Sequence, residues 1–228
     1  MKKIYLFFNI LLLFSFYKLT AQKYSGYKVI YKLKHDTLHF QPNSNATMEK
    51  MEKESDKFAE DLEFILIFNT NESLYAIEKP LKPDDMNPMV YTLGLLQGYL
   101  DTIHQYKNSR IKLTRIKNKG KYVWEQDTIF GHRTWKITNE TGKLGNYTVI
   151  KAIAGKNITA WFTPDIPVPF GPDGEGGLPG LILKIQLGRR IIYANKIIPL
   201  KEPIKIPEPK GKRVSAQEMR EKRMKEFA

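Results

Sequence analysis

The chain contains no cysteine in its 228 residues. That excludes disulfides, thiol nucleophiles, thiolate metal sites and a lipidated N-terminal cysteine. Acid is also short: 24 Asp and Glu stand against 37 Lys and Arg, for a net charge of +13. Long apolar runs are missing beyond the start of the chain. There, Lys2 and Lys3 precede an apolar stretch from Ile4 to Tyr17, followed by the small residues of Leu19-Thr20-Ala21. The stretch is shorter than the ~20 residues of a spanning helix, and its flanks are those of a secretory signal cleaved near Ala21. The expectation is a periplasmic or secreted protein without a stable transmembrane anchor. Only three lysines leave with such a signal, so the rest stays strongly basic. Anionic headgroups, phosphates or acidic polymers suit that charge, a solvated lysine surface is the plainer explanation, and nucleic acid does not fit the address.

Catalytic patterns are also absent. There is no His-Glu-x-x-His, Gly-x-Ser-x-Gly or Walker sequence. His35 and His39, on a segment read as strand, would hold their rings about 13 Å apart, too far to share a metal. His104 and His132 have no acidic or nucleophilic pattern around them, and Asp84-Asp85, Asp101 and Asp127 are isolated. No catalytic residue, metal ligand or cofactor is expected from motifs, and a non-enzymatic role is favoured.

What is present is period two. Tyr27, Val29, Tyr31 and Leu33 alternate with lysines, the pattern of a half-buried strand. Phe64–Phe68 reads as a second strand, turning at Asn69–Glu72 into Ser73–Ile77. Asn118-Lys119-Gly120 joins Arg110–Lys117 to Tyr122–Glu125, and Gly155-Lys156-Asn157 joins Tyr147–Ala152 to Ile158–Thr163. Leu181, Leu183, Ile185 and Leu187 line one face of a strand that Gly188-Arg189 turns into Ile191–Ile197. Hairpins in this number predict a mainly antiparallel sheet. Helical spacing from Met48 to Leu62, with Asn45 as cap, predicts one helix. Met86–Ile103 fits a helix or a packed loop. Ser215-Ala216-Gln217-Glu218 forms a capping box for a charged helix to Phe227, after a proline-bearing linker over Pro199–Pro209. The expected layout is a signal over 1–21, a β domain over 22–200, and linker plus helical tail over 201–228.

Arg115, Lys117, Lys119 and Lys121 alternate along a hairpin, so one side of it is a candidate anion stripe; edge-guarding lysines are the plainer reading. The arm from Trp161 to Pro172 carries Pro164, Pro167, Pro169 and Pro172, which fix φ and remove donors, keeping it out of the centre of a sheet. Trp161, Phe162 and Phe170 are its candidate apolar contact residues, although core packing is the plainer reading of aromatics. Leu178-Pro179-Gly180-Leu181 fits a type II turn, with Gly180 supplying the positive φ. A strand follows this glycine-rich run, so it lacks the helix N-terminus a phosphate loop requires.

Gly177-Leu178-Pro179-Gly180-Leu181-Ile182 resembles the signature of the GLPGLI family. The blocks around Trp135 and Tyr147, and the arm with Trp161, Pro164, Pro167, Gly171 and Pro172, resemble that family too. Where members often carry cysteine, this chain has Val149, read as a packing position. The resemblance implies an exported protein of the Bacteroidota, a mainly β (α+β) fold in which one curved sheet or half-barrel carries one or two helices, and no catalytic residues. It also implies an envelope role beside an outer-membrane receptor. Asp36-Thr37-Leu38, Asp101-Thr102-Ile103 and Asp127-Thr128-Ile129 resemble that phylum's O-glycosylation acceptor, making Thr37, Thr102 and Thr128 candidates. The expected function is a non-enzymatic binding or carrier module for an apolar ligand or a partner protein. The alternatives are an unrecognised hydrolase of envelope polymers and an assembly accessory of the receptor.

Overall fold

The computed structural model describes residues 24–36, 46–79, 88, 94, 99, 101–118, 121–127, 133–207, 210–215 and 217–218. The expected signal segment, Thr37, His39, Asn45, Lys119, Thr128 and His132 lie outside them.

Among the described residues, twelve strands form a single sheet. β1 (Gly26–His35), β2 (Glu63–Phe68), β3 (Glu72–Ile77), β4 (Thr102–Tyr106), β5 (Ile111–Asn118) and β6 (Lys121–Asp127) make one antiparallel meander. β7 (Lys136–Leu144), β8 (Tyr147–Ala154), β9 (Ile158–Thr163), β10 (Leu181–Leu187) and β11 (Arg190–Leu200) make a second. The halves meet where β11 pairs antiparallel with β1, from Gly26 opposite Leu200 to His35 opposite Arg190. A short β12 (Arg213–Ser215) pairs in parallel with β6 at one edge, and β7 forms the other. Helix α1 (Ala46–Asp61) connects β1 to β2 and packs against β1. The mainly β architecture expected from the sequence is the one observed.

Alternation decides which face each strand buries. On β1, Tyr27, Val29, Tyr31 and Leu33 point inward and are buried, whereas Lys28, Lys32 and Lys34 point outward. α1 covers the inner face with Ser55, Ala59 and the following Leu62, which are buried. The turn before β3 is built by Asn69, whose Oδ1 accepts the N–H groups of Asn71 at 2.8 Å and Glu72 at 3.0 Å, an Asx turn. Val149 is 1% exposed, a packing position as expected.

Four expectations need correction. β10 does not alternate from Leu181 to Leu187: its pairing with β9 shifts between Ile182 and Lys184, and Leu181, Ile182 and Leu183 are all buried. The bulge turns one residue out of phase, because the arm covers this end of the strand from the side its alternation would have left open. Second, Thr102 and Ile103 belong to β4, not to a helix or loop over 86–103. Third, Pro199 and Leu200 end β11, and the chain beyond them docks. Ile206 and Val214 are buried, and Asn69 Nδ2 donates to the Ile204 carbonyl at 3.4 Å. The capping-box bond from Glu218 N–H to Ser215 Oγ is present at 3.0 Å. Finally, the register sets Lys121 opposite Asn118, whereas Arg115 and Lys117 pair with Trp124 and Tyr122, so the spacing of two along the sequence is not kept across the hairpin.

Candidate functional site

The arm between β9 and β10 fills the hollow of the sheet. Ile166, Val168, Phe170 and Leu178 are buried, while Pro164, Pro167 and Pro179 face out. Its prolines hold an extended backbone, so alternate apolar side chains reach the core without competing for ladder hydrogen bonds. The segment then folds back on itself. Phe170 and Gly176 form an isolated bridge, Leu181 N–H bonds to Ile166 O at 3.0 Å, and Ile182 N–H bonds to Phe170 O at 3.0 Å. A short 3-10 turn at Pro172–Gly174 carries the tip across to the other meander. There Gln105 on β4 donates to the Gly174 carbonyl at 2.8 Å, and Tyr31 on β1 donates its hydroxyl to Ile182 O at 2.6 Å.

The signature glycine works differently from the turn expected of it. Gly180 does not have positive φ, so Leu178–Leu181 is not a type II turn. Its role is close approach: a Cβ there would stand 2.1 Å from the Thr163 carbonyl oxygen. Likewise, a Cβ at Gly171 would stand 2.9 Å from Ile182. Trp135 fixes the same loop from the β7 side, its Nε1 donating to Gly176 O at 2.9 Å. Tyr147, in the β7–β8 hairpin, is half-buried and packs on the core. Phe162 at 1% exposure and Phe170 at 0% are core, not contact surface. Of the three candidate aromatics, Trp161 alone points to the outer face. Thr102 is half-buried on β4.

Beside the arm tip runs a charged seam that no motif announced. Arg133 grips Glu175 with two bonds, Nε at 2.6 Å and Nη2 at 2.5 Å. Arg190 reaches Asp173 at 3.4 Å and lies 5.8 Å from the Tyr99 ring centre. Arg189 binds Glu52 and Asp56 of α1 at 2.8 and 2.7 Å. His35 Nε2 lies 3.3 Å from Asp56 and 3.1 Å from the Tyr99 hydroxyl. On the sheet's other side His104, which is 0% exposed, meets Glu72 at 3.1 Å. These partners are far apart in sequence, and only the folded chain, with α1 and the arm tip docked on the sheet, brings them together.

Burial sets the protonation of the seam. Asp173 keeps 21% of its side-chain surface, yet burial of the carboxyl, only partly offset by Arg190, pushes its pKa up to about 6. It also holds φ at 57°, a conformation Asp tolerates better than most residues. Burial raises Tyr99 to about 12, and burial lowers His35 against the pull of Asp56 and Glu60. Among the described residues no group of three His, Asp or Glu side chains could hold a metal ion.

The outer face of the second meander carries a line in register. Lys151 on β8 is opposite Trp161 on β9, which is opposite Lys184 on β10. Lys184 is opposite Tyr193 on β11, itself opposite Lys32 on β1. Cations and aromatic rings alternate across five strands. The Lys184 ammonium sits 4.4 Å from the Trp161 ring centre and that of Lys151 at 5.9 Å.

A family described as a protein of unknown function (Porph_ging) matches residues 153–184, the span from the end of β8 through the arm into β10. No curated protein matches the chain. Two solved structures of PNGF-II, in C2 and P21 crystals, are similar in fold, each with a TM-score of 0.56 at 20% and 19% identity. The similarity covers 86% of this chain but 32% of the PNGF-II chain, so the chain spans about a third of that protein's length.

Proposed function

We propose that this chain is an exported, non-enzymatic binding module of the cell envelope that engages a partner protein by its outer surfaces. One observation carries the reading: the hollow of the sheet, where a carrier would hold an apolar ligand, is occupied by the chain's own Ile166, Val168, Phe170 and Leu178. The leader-like segment supports export, and the resemblance to the GLPGLI family supports an envelope setting beside an outer-membrane receptor. The similar fold in PNGF-II occupies a third of a longer chain, which suits a module that works alongside something else. Native mass spectrometry of the protein taken from its own envelope tests this. The expected result is a co-purifying protein subunit and no lipid; stoichiometric lipid with no protein would overturn it.

A second reading, hydrolysis of an envelope polymer, is favoured by Asp173 alone, a buried carboxyl with raised pKa next to Glu175. Shifted carboxyls mark many active sites. Against it, both acids are held by arginines, Asp173 by Arg190 and Glu175 by Arg133, and neither is left to move a proton to substrate. Unchanged turnover of envelope glycan and peptide substrates by Asp173→Asn protein would remove this reading.

A further inference from the structure

The line across the outer face goes beyond the partner-protein reading and stands without it. Its rings and ammonium groups are spaced by the sheet itself, one strand apart at ~4.8 Å. Trp161 and Tyr193 are therefore about two strand spacings apart, ~10 Å, with Lys184 between them. The backbone of these inner strands is already paired on both sides, so only side chains are offered to a ligand.

Charge at this line is incompletely balanced. Lys151 is neutralised by Glu140 at 2.7 Å, and Lys32 faces Glu63 at 3.7 Å. Lys184 and the neighbouring Lys34 have no acidic partner among the described residues. Lys34 instead lies 6.0 Å from the Tyr193 ring centre. Two uncompensated ammonium groups thus crowd against two half-exposed aromatic rings. Burial, and secondarily the like charge of Lys34, lower the Lys184 pKa, so an anion placed here relieves a repulsion as well as gaining an attraction.

We propose that the row Lys151–Trp161–Lys184–Tyr193–Lys32, with Lys34 beside it, is a binding site for an acidic polysaccharide. The two rings offer flat apolar faces to the C–H faces of sugar rings. Lys184 and Lys34 supply point charges for carboxylates or phosphates carried between those rings. A linear polymer suits the linear arrangement. A lipid surface suits it less, because membrane docking uses protruding apolar side chains. The exposed large hydrophobic among the described residues is Ile137, on the β7 edge and away from the row.

The test is affinity electrophoresis of the leader-free chain in gels containing polygalacturonate, neutral dextran or no polymer, with phosphatidylglycerol vesicle flotation in parallel. Polygalacturonate should retard the protein and dextran should not. Lys184→Gln and Trp161→Ala should each weaken retardation about tenfold, a size set by one stacked or charge-assisted contact. Lys156→Gln and Lys196→Gln, which remove the same charge elsewhere, should leave it within about twofold. Equal losses from Lys184→Gln and from the two control lysine variants would reduce the effect to net charge and overturn the site. Absence of retardation by polygalacturonate, or binding to vesicles alone, would also overturn it. If Trp161→Ala does not fold, Trp161→Phe and Tyr193→Ser replace it, with a weaker loss expected from the first than from the second. Failure here leaves the partner-protein reading intact, because that reading is scored by co-purification.

Discussion

Trp161 and Phe162 are adjacent in the chain and have opposite fates. Phe162 closes on the arm and is 1% exposed, whereas Trp161 stands among lysines on the outer face. The same strands therefore present two surfaces that differ in kind. The inner one is apolar, close-packed and completed by the chain's own arm; the outer one is charged, ring-bearing and uncovered. The first meander differs again, because its outer residues His104 and Leu113 are fully buried, and the docked segment after β11 contributes the buried Ile206 and Val214. The uncovered outer surface over β8–β11 and β1 is thus a local feature of the fold, and it is where charge and aromatics were concentrated.

Substitutions that strike the two surfaces should differ in size. The largest effect is expected from Gly180→Ala. A Cβ 2.1 Å from a carbonyl oxygen of a paired strand forces β9 and β10 apart, so the protein should lose its cooperative thermal transition or fail to accumulate as folded material. A normal melt would show that the arm does not need this close approach. Phe170→Ala comes next. Removing a 0% exposed ring that lies 6.0 Å from Phe68 should cost about 3–5 kcal/mol in denaturant unfolding. A loss under about 1 kcal/mol would mean that the arm can collapse into the space.

Asp173→Asn separates the charged seam from the apolar arm through pH. In the folded chain Asp173 keeps its proton up to about 6, above its ordinary 3.8. Below the ordinary value both states are protonated and nothing is lost. As pH rises toward 6 the unfolded chain releases the proton and the folded one does not, so stability falls with pH and the loss is complete above about 6. The asparagine variant should therefore melt like the parent near pH 4 and above it at pH 7, by on the order of 2 kcal/mol. A parent that gains on the variant as pH rises would reverse the sign and refute the assignment. Trp161→Ala should be the mildest, about 1 kcal/mol or less, measured by the same denaturant unfolding. A cost comparable to Phe170→Ala would erase the distinction between the two surfaces.

The sequence made the hairpins legible because period two survives wherever one face is buried and the other wet. Tyr27–Leu33, Ile158–Thr163 and the turn at Asn69 follow that rule. β7 escaped it: Lys136–Leu144 is an edge strand whose residues are mostly exposed, so no apolar alternation marks it. β10 broke it, because Leu181–Leu183 is covered on both sides and a bulge absorbs the mismatch. Gly180 departs from the turn its motif predicts for a related reason. Glycine in a turn motif suggests dihedral freedom, while the crowding that demands it comes from Thr163, on a different strand. The seam was invisible in principle, since His35, Asp56 and Arg189, or Arg133 and Glu175, converge only after both meanders have formed. The outer row was half visible. Trp161 stood out as a contact residue, but its lysine neighbours come from β8 and β10, and strand register rather than sequence spacing assigns them.

The seam between the meanders has a consequence in time. β1 is among the first parts of the domain to be made, and on one side it waits for β11, with Gly26 pairing to Leu200. Until nearly the whole domain is available, the first meander presents an unpaired central strand with alternate apolar residues, the geometry that invites pairing with another chain. Folding dominated by such distant pairings is slow, commonly milliseconds to seconds. The lysines that alternate along β1 therefore have a use before any ligand arrives: they keep neighbouring nascent chains from completing the strand that β11 is due to complete.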